Sequence, residues 1–238
     1  MKRSTFLKAE WRKLAIANYA VEAACLLPFL PAGTELDSWN QTCYVSLVGF
    51  MFQKSRLAGI PIPFHSNFEE VNLRFYVRYK DEGFWKRGAV FIKEIVPRPA
   101  ISFVANYLYN ENYETMPMAH TWEITSNSLQ VEYKWRKKDW NQFTISAFPA
   151  ALMIKEGSEE EFITEHYWGY TRINDSVTSE YQVEHPRWMA YAVKDYSIRV
   201  DFADIYGEAF GFLDSQEPLS VMLAEGSEIT VRRGLMLT

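Results

Sequence analysis

The chain has 238 residues, a length that suits a single domain spanning 1–238 with a substantial core. Hydrophobic residues make up 48% and charged residues 23%, which excludes a chain that is disordered over most of its length. The formal net charge of -5 gives no general attraction to nucleic acid or to anionic lipid, so we expect neither nucleic acid nor a membrane as a partner.

The predicted elements begin with a helix over Phe6–Leu27, where apolar side chains recur at helical spacing. A buried strand over Thr42–Phe52 follows. Glu69–Lys80 is the clearest strand, because apolar and polar residues alternate along its whole length. The run Asp81-Glu82-Gly83 then predicts a hairpin turn into a strand over Trp85–Val96.

The second half of the chain predicts one helix over Ala100–Tyr109 and a short helix that begins at Ser158, whose hydroxyl is a good N-terminal cap. The rest alternates between strands and turns. About ten strands and three helices indicate an α+β fold dominated by antiparallel sheet, which curls into a barrel or a pair of packed sheets. The strands are expected over Met116–Thr125, Leu129–Arg136, Asn141–Ala147, Val183–Glu184, Trp188–Phe202, Leu219–Ala224 and Ile229–Met236.

The N-terminal region superficially resembles an export signal, because the basic run Met1-Lys2-Arg3 precedes a mostly apolar stretch over Leu14–Ala32. Glu22 interrupts that stretch, and a charge at this point is incompatible with a signal core or a membrane span. The two cysteines, Cys25 and Cys43, fit a reduced protein better than a disulfide framework. The sequence therefore predicts a cytoplasmic protein.

Motifs for cofactors and metals are absent from the sequence. There is no glycine-rich phosphate loop, dinucleotide fingerprint or nucleophile elbow, and no two histidines have the spacing of a zinc protease helix. We therefore expect no cofactor and no metal. The basic run around Lys137 and Lys138 lies between Trp135 and Trp140, and we interpret it as a solvated hairpin tip with inward-facing tryptophans rather than a nucleic-acid surface.

Candidate binding residues lie on the polar face of the Glu69–Lys80 strand. Arg74 is a fork-shaped cation suited to a carboxylate, and Asn72 and Tyr76 lie beside it on the same face. The alternative is that this face contacts solvent. Glu94 follows the next apolar strand; buried, it would have a raised pKa and act as an acid or base, whereas exposed it would only pair with Lys93.

Two aromatic clusters in the second half leave a further choice open. Glu165–Tyr170 contains Tyr167, and Glu184–Trp188 contains His185. These runs either close a ligand pocket or pack as core aromatics with hydrogen-bonded histidines.

Four short motifs occur in order along nearly the whole chain, and together they resemble the YqjF-like family of uncharacterised bacterial proteins within the acetoacetate decarboxylase-like superfamily. The resemblance implies an antiparallel β-barrel-like core with a central cavity and flanking helices, and it carries no established activity. The motifs are Trp11 with Leu30-Pro31-Ala32-Gly33 and Leu36-Asp37, Val71–Val77, Met116-Pro117-Met118-Ala119, and Phe162–Tyr170 with His185-Pro186-Arg187-Trp188.

Decarboxylases of this superfamily use a lysine in a Gly-Phe-Pro-Lys-Lys run, whose amine forms a Schiff base with a β-keto acid. The corresponding stretch here is Thr115–Ala119, which puts Met118 at the position of the nucleophile and Ala119 at that of the second lysine. A thioether does not form an imine, so the resemblance does not extend to the decarboxylase chemistry.

The cavity is the part of the resemblance that survives. It implies one wall formed by the strand around Arg74, and a second wall formed by Met118, His120 and Trp122, which share one strand face. We therefore expect a protein that binds a small carboxylate or keto compound in this cavity. The alternative is an interaction or structural protein whose core is filled by side chains. The sequence leaves the ligand and the oligomeric state open.

Overall fold

The structure is a computed structural model that describes residues 3–61, 65–109 and 111–238, except for the side chains of residues 104, 105, 108 and 109. Over these residues the chain forms one sheet of fifteen strands with a few short helices. None of the helices in these ranges is long and apolar enough to cross a membrane.

The strands, in chain order, are β1 Thr5–Val21, β2 Thr34–Leu36, β3 Cys43–Leu57, β4 Ile60–Pro61, β5 Phe68–Asp81, β6 Phe84–Val96, β7 Tyr113–Thr115, β8 Met118–Ile124, β9 Leu129–Arg136, β10 Trp140–Met153, β11 Trp168–Arg172, β12 Thr178–Glu184, β13 Met189–Arg199, β14 Ser220–Arg232 and β15 Leu235–Leu237. The α-helices are α1 Ala23–Leu26, α2 Pro99–Tyr109, α3 Glu159–Thr164 and α4 Phe202–Tyr206, and 3₁₀ turns cover Leu27–Phe29 and Glu208–Ser215.

Backbone hydrogen bonds join seven of these strands into a closed ring. The order around the ring is β14, β1, β3, β5, β6, β11 and β12, and β12 pairs with β14 to complete it. Every pairing in the ring is antiparallel except that of β6 with β11. We call these seven the ring strands. From β14 the sheet continues outward through β13, β10 and β9 to β8.

The ring strands carry apolar side chains on both faces, and these form two separate cores. On β5, Val71, Leu73 and Phe75 belong to the first core, which also contains the buried side chains of β9 and β10. Tyr76, on the opposite face of β5, belongs to the second core together with Ile16 of β1. Alternation along β5 therefore separates two buried environments and not a core from solvent.

Several predicted elements are confirmed. The strands around Phe75 and Val90 pair as a hairpin, and its turn has φ values of 46° at Glu82 and 90° at Gly83. Helix α2 begins at Pro99, and the side chain of Ser158 caps α3 by accepting a hydrogen bond from the Glu161 backbone N–H.

The predicted helix over Phe6–Leu27 is wrong, because this segment forms the long strand β1 and only Ala23–Leu26 is helical. The reason is the double burial of β1. Residues 14–17 are at most 1% exposed, since alternate side chains enter the two cores. A strand that is apolar on both faces loses its period-two pattern and resembles a buried helix in sequence.

The basic hairpin between β9 and β10 is only partly as expected. Trp135 is completely buried, but Trp140 is 49% exposed and lies under the Arg136 guanidinium, so only one tryptophan faces inward. Lys137 and Lys138 form ion pairs with Asp204 at α4.

Candidate binding pocket

A pocket of about 250 Å³ lies on the face of the ring strands that carries the second core. All seven ring strands contribute side chains or backbone to its lining, as does the segment that joins α2 to β7. Large aromatic side chains form much of the wall, including Trp11, Phe50, Phe52, Phe91 and Trp168.

Polar residues enter this wall from β5 and its neighbours. Glu70, Asn72 and Arg74 line the pocket because they alternate along β5 and share the face opposite the first core. Glu94 of β6 is the register partner of Asn72, and Glu111 comes from the segment before β7. All five are at most 9% exposed.

Hydrogen bonds connect the carboxyl groups to neighbouring side chains. Asn72 Nδ2 donates to Glu70 Oε1 at 3.0 Å, and the Tyr113 hydroxyl donates to Glu70 Oε2 at 3.2 Å. The Thr171 hydroxyl of β11 donates to Glu111 Oε1 at 2.7 Å. These hydrogen bonds therefore involve β5, β7 and β11, and each of these three strands pairs with β6.

Burial raises the pKa of all three pocket glutamates. It brings the pKa of Glu70 and that of Glu111 to about 7. The pKa of Glu94 is raised well above its ordinary value, first by burial and then by the negative charges of Glu111 and Glu70. Burial thus favours the protonated form of Glu94, which is the form that can donate a hydrogen bond or act as an acid.

Arg74 is the cationic side chain of this wall. Its guanidinium carbon lies 5.4 Å from the centre of the Tyr76 ring, and its charge lowers the pKa of Glu70 against the larger effect of burial. Arg74 Nε is buried without a hydrogen-bond partner among the described residues. No carboxylate of those residues forms an ion pair with Arg74. Its guanidinium therefore has N–H donors available for the carboxylate of a ligand.

Unpaired buried polar atoms concentrate at this pocket. Asn72 Oδ1, Arg74 Nε, Glu94 Oε2 and His166 Nδ1 are all buried, have no hydrogen-bond partner among the described residues, and belong to side chains that line the pocket. Folded proteins pair most buried polar atoms, and exceptions grouped in one place are typical of functional sites.

His166 enters the pocket wall with two partners behind it. Its Nε2 lies 3.2 Å from Asp37 Oδ2 and 3.3 Å from Arg87 Nη2, and Arg87 Nε donates to the same Asp37 oxygen at 2.6 Å. The imidazole packs on the Tyr76 ring at 4.5 Å. Burial lowers the pKa of His166 to about 4, so the ring is neutral at neutral pH.

Of the residues predicted for the site, the structure brings Asn72, Arg74 and Glu94 together in the pocket. Tyr76 lies next to them without lining it. Its ring supports the Arg74 guanidinium and the His166 imidazole, and its hydroxyl is 2.8 Å from Ser46 Oγ.

The predicted second wall of Met118, His120 and Trp122 does not line this pocket. These residues lie on β8, and Met118 and Trp122 pack against the first core, on the opposite face of β5. His120 Nδ1 lies 2.7 Å from Glu69 Oε1. The prediction placed them correctly on one strand face, but β8 belongs to the outward extension of the sheet, which covers the other side of the ring strands.

Tyr167 and His185 also lie outside the pocket lining. Their rings are 4.6 Å apart, and His185 stacks on Trp188 at 4.3 Å. The Tyr167 hydroxyl donates to Glu165. The runs Glu165–Tyr170 and Glu184–Trp188 therefore meet as an aromatic cluster. The side chains that they contribute to the pocket are those of His166 and Trp168.

Four further residues that line the pocket were not predicted from the sequence, namely Glu70, Glu111, Tyr113 and Tyr181. His166 lies in the predicted run Glu165–Tyr170 but was not singled out there. Glu70 had a usable signal, because it continues the period-two series of Asn72 and Arg74. Glu111 and Tyr113 follow a helix and belong to no periodic pattern. No described lysine lines the pocket, and no group of three or more His, Cys, Asp or Glu in the described part of the chain is arranged to hold a metal ion.

The fold is that of the acetoacetate decarboxylase-like proteins. The enduracididine biosynthesis enzyme MppR, solved with pyruvate, superposes with a TM-score of 0.68 at 13% identity and covers 100% of this chain and 92% of its own. Acetoacetate decarboxylase from Legionella pneumophila gives a TM-score of 0.66 at 12% identity, covering 99% of this chain and 88% of that one.

Within that fold, the chain belongs to the family DUF2071, described as an uncharacterized conserved protein, which matches residues 8–228. It is 24% identical over 188 residues to the uncharacterized protein YqjF of Bacillus subtilis (strain 168), a match that covers 77% of this chain and 74% of that protein. The resemblance to the YqjF-like family is thereby confirmed.

Proposed function

We propose that the protein binds a small carboxylate or keto acid in this pocket, with Arg74 as the group that holds the acid. The observation that carries the proposal is the buried, unpaired Nε of Arg74. Arg74 is 9% exposed, its Nε has no partner among the described residues, and it lines the pocket. A buried cation without a counter-charge is costly, and a bound carboxylate supplies both the charge and the hydrogen bonds.

The proposal treats the seven ring strands as a barrel and the pocket as its interior. In its favour, the strand pairings close on themselves and every ring strand contributes to the lining. The polar side chains of this wall are buried, so each interacts more strongly with a ligand than it would at the surface.

Structural relatives favour keto acids as the first ligands to test. One relative is an enzyme complexed with pyruvate, and another is named for the decarboxylation of acetoacetate. Because no described lysine lines the pocket, the proposal includes no imine and concerns binding alone. The ligand class and a cytoplasmic location, which we infer from the sequence, are parts of this proposal.

The test is isothermal titration of the purified protein with pyruvate, acetoacetate and phenylpyruvate, preceded by a thermal-shift screen. Arg74→Met keeps the volume of the side chain and removes its charge. We expect this variant to lose about 30-fold or more in affinity, because a buried charge-assisted pair is worth roughly 2–5 kcal/mol. Arg74→Lys is expected to recover part of that loss.

Two control variants separate the pocket from the rest of the molecule. Arg78→Met removes an arginine of the same strand that pairs with Glu35 outside the pocket, and Trp122→Ala truncates the β8 face. Both are expected to retain the wild-type affinity when measured below their melting temperatures. Equal affinity of wild type and Arg74→Met would contradict the proposal.

The alternative function is that of an interaction or structural protein whose core is filled by side chains. Packing on the other face of the sheet supports it. Met118 and Trp122 pack there against the first core around Phe75, which is completely buried. Absence of binding by every acid in the screen would favour this alternative, in which the protein acts through its surface.

A further inference from the structure

Among the described residues, the pocket lining contains one arginine and three glutamates. Arg74 shares the lining with Glu70, Glu94 and Glu111. The carboxyl groups are near enough that Glu111 raises the pKa of both Glu70 and Glu94. Glu94 Oε2 and Arg74 Nε are both buried without partners among the described residues, so the acidic cluster and the cation meet at an incomplete polar site.

We propose that the pocket selects carboxylates with a single negative charge and an apolar body, and that binding of the anion is coupled to protonation of the pocket glutamates. This inference rests on the proposed function, since it assumes that the acid group of the ligand pairs with Arg74. It specifies, in addition, the number of negative charges on the ligand and the pH dependence of its binding.

Charge counting gives the physical reason. When all three glutamates are neutral, the charge at the site is that of Arg74, and an anion is attracted. Ionisation of one glutamate cancels that charge, and ionisation of a second makes the site negative. In a buried site these interactions are weakly screened. An anion on Arg74 and a carboxylate in the same wall therefore compete for one cation, and by linkage the anion favours the protonated glutamates.

Tyr113, Tyr181 and His166, which also line the pocket, do not change this balance at neutral pH. Tyr113 and Tyr181 stay protonated, because burial raises the pKa of each well above its ordinary value. His166 is neutral, and the Arg87 behind it is matched by Asp37. His65 also lines the pocket, and its contribution is separated experimentally by the substitution His65→Gln.

The apolar walls define the rest of the ligand. Phe50 and Phe52 line the pocket with rings that offer no partner to a second carboxylate. The Nε1–H of Trp11, unpaired among the described residues, is a neutral donor that does not balance a second negative charge. A dianion would place its second charge either against these rings or against the glutamates, and both arrangements are unfavourable. A hydrocarbon or aromatic body gains from the same walls by burial.

The experiment is titration of the wild-type protein with pyruvate, phenylpyruvate and oxaloacetate at pH 6 and pH 8. Each titration is made in two buffers of different ionisation enthalpy, which reports the protons taken up. We expect pyruvate to bind at least about tenfold more weakly at pH 8, with net proton uptake on binding at that pH. Phenylpyruvate is expected to bind more tightly than pyruvate, and oxaloacetate at least about tenfold more weakly.

Glu111→Gln tests the source of the pH dependence, because it mimics the protonated carboxyl and cannot ionise. The ratio of the dissociation constants at pH 8 and pH 6 is expected to shrink in this variant. It should remain at the wild-type value in Glu35→Gln, whose residue pairs with Arg78 outside the pocket. A ratio that shrinks in His65→Gln and not in Glu111→Gln would assign the pH dependence to His65 and overturn the inference.

The outcomes distinguish this inference from the proposed function. Equal binding of pyruvate at the two pH values without proton uptake overturns the inference and leaves the carboxylate site standing. Tighter binding at pH 8, or preference for oxaloacetate, also overturns it. No binding of any of the three acids at either pH overturns the inference and the proposed function together.

Discussion

At the scale of single residues, buried charges in this protein are of two kinds. Most have a partner close by: Glu180 is completely buried and forms ion pairs with Arg3 and Lys86. Asp37 is 8% exposed and is held by Arg87 and His166. Arg74 belongs to the second kind, because it forms no ion pair with a described carboxylate, and the proposed function depends on it since a buried cation without a counter-charge is costly.

Asp37→Asn tests the paired kind. Burial acts to raise the pKa of Asp37, but the hydrogen bonds from His166 and Arg87 outweigh it and hold that pKa below its ordinary value. The stabilisation is therefore present above the ordinary pKa and is lost as the pH falls through the lowered one. We expect the substitution to reduce the free energy of unfolding at pH 7 by about 1–3 kcal/mol, since Arg87 is partly exposed and the full buried-pair cost does not apply.

The measurement is urea unfolding at pH 7, with Asp175→Asn as the matched control. Asp175 also pairs with an arginine, but its side chain is 94% exposed, so its pair with Arg172 contributes little. An Asp37→Asn variant no less stable than Asp175→Asn would show that the buried group around His166 does not stabilise the fold.

At the scale of elements, the success of sequence reasoning depended on how many faces of a strand are buried. The β5–β6 hairpin was predicted because polar residues mark one face of β5 and a tight turn follows it. Three of those polar residues, Glu70, Asn72 and Arg74, proved to be buried as well, and they line the pocket. Strand β1 has no such polar series, and its alanine-rich stretch matched helical spacing by chance.

The junction of β1 and β14 depends on a glycine. Gly226 has a φ of 77° and is the register partner of Arg12, next to an irregularity in β1 where Lys13 has a φ of 54°. A Cβ atom at Gly226 would lie 2.0 Å from the carbonyl oxygen of Trp11. We expect Gly226→Ala to cost at least about 2 kcal/mol, because backbone strain adds to a clash that only backbone movement relieves.

Gly83→Ala is the control for backbone strain alone, and chemical denaturation of both variants gives the comparison. Gly83 has a φ of 90°, but a Cβ there meets nothing within 4 Å. Its cost should stay near 1–2 kcal/mol, roughly the penalty of the left-handed conformation. Equal costs at the two positions would mean that the strands tolerate the added methyl group and that the close approach to Trp11 has no structural importance.

At the scale of the whole molecule, the pocket is assembled by ring closure between segments far apart in sequence. Glu111 is held in the wall by a hydrogen bond from Thr171 of β11, and His166 is held there by its contact with Asp37. Neither contact has a local signature, so the sequence indicated Asn72, Arg74 and Glu94 on β5 and β6 but not the groups that precede β7 and β11. The closure of the ring, and not any single motif, sets the composition of the site.

The same closure makes the stability of the whole fold depend on pH. The pKa of Glu70 and that of Glu111 are raised by burial from 4.5 to about 7, so the folded state binds more protons than the unfolded chain between those values. These groups therefore make stability fall as the pH rises through that window. His166 acts in the opposite direction, because its pKa is lowered from 6.5 to about 4, and stability rises with pH over that range.

Above pH 6.5 the contribution of His166 is complete and the glutamates alone remain, so we expect wild-type stability to decline from pH 6.5 to pH 8. Glu111→Gln removes one ionising group. Between pH 5 and pH 8, the free energy of unfolding of the variant should fall less than that of the wild type. The difference is expected to be up to about 3 kcal/mol, since each unit of pKa shift corresponds to about 1.4 kcal/mol. Urea unfolding at the two pH values measures this difference. The exposed Glu156→Gln should follow the wild-type profile. Parallel profiles for wild type and Glu111→Gln would mean that Glu111 is already ionised in the folded protein, and the wall around Arg74 would then carry a carboxylate at every pH tested.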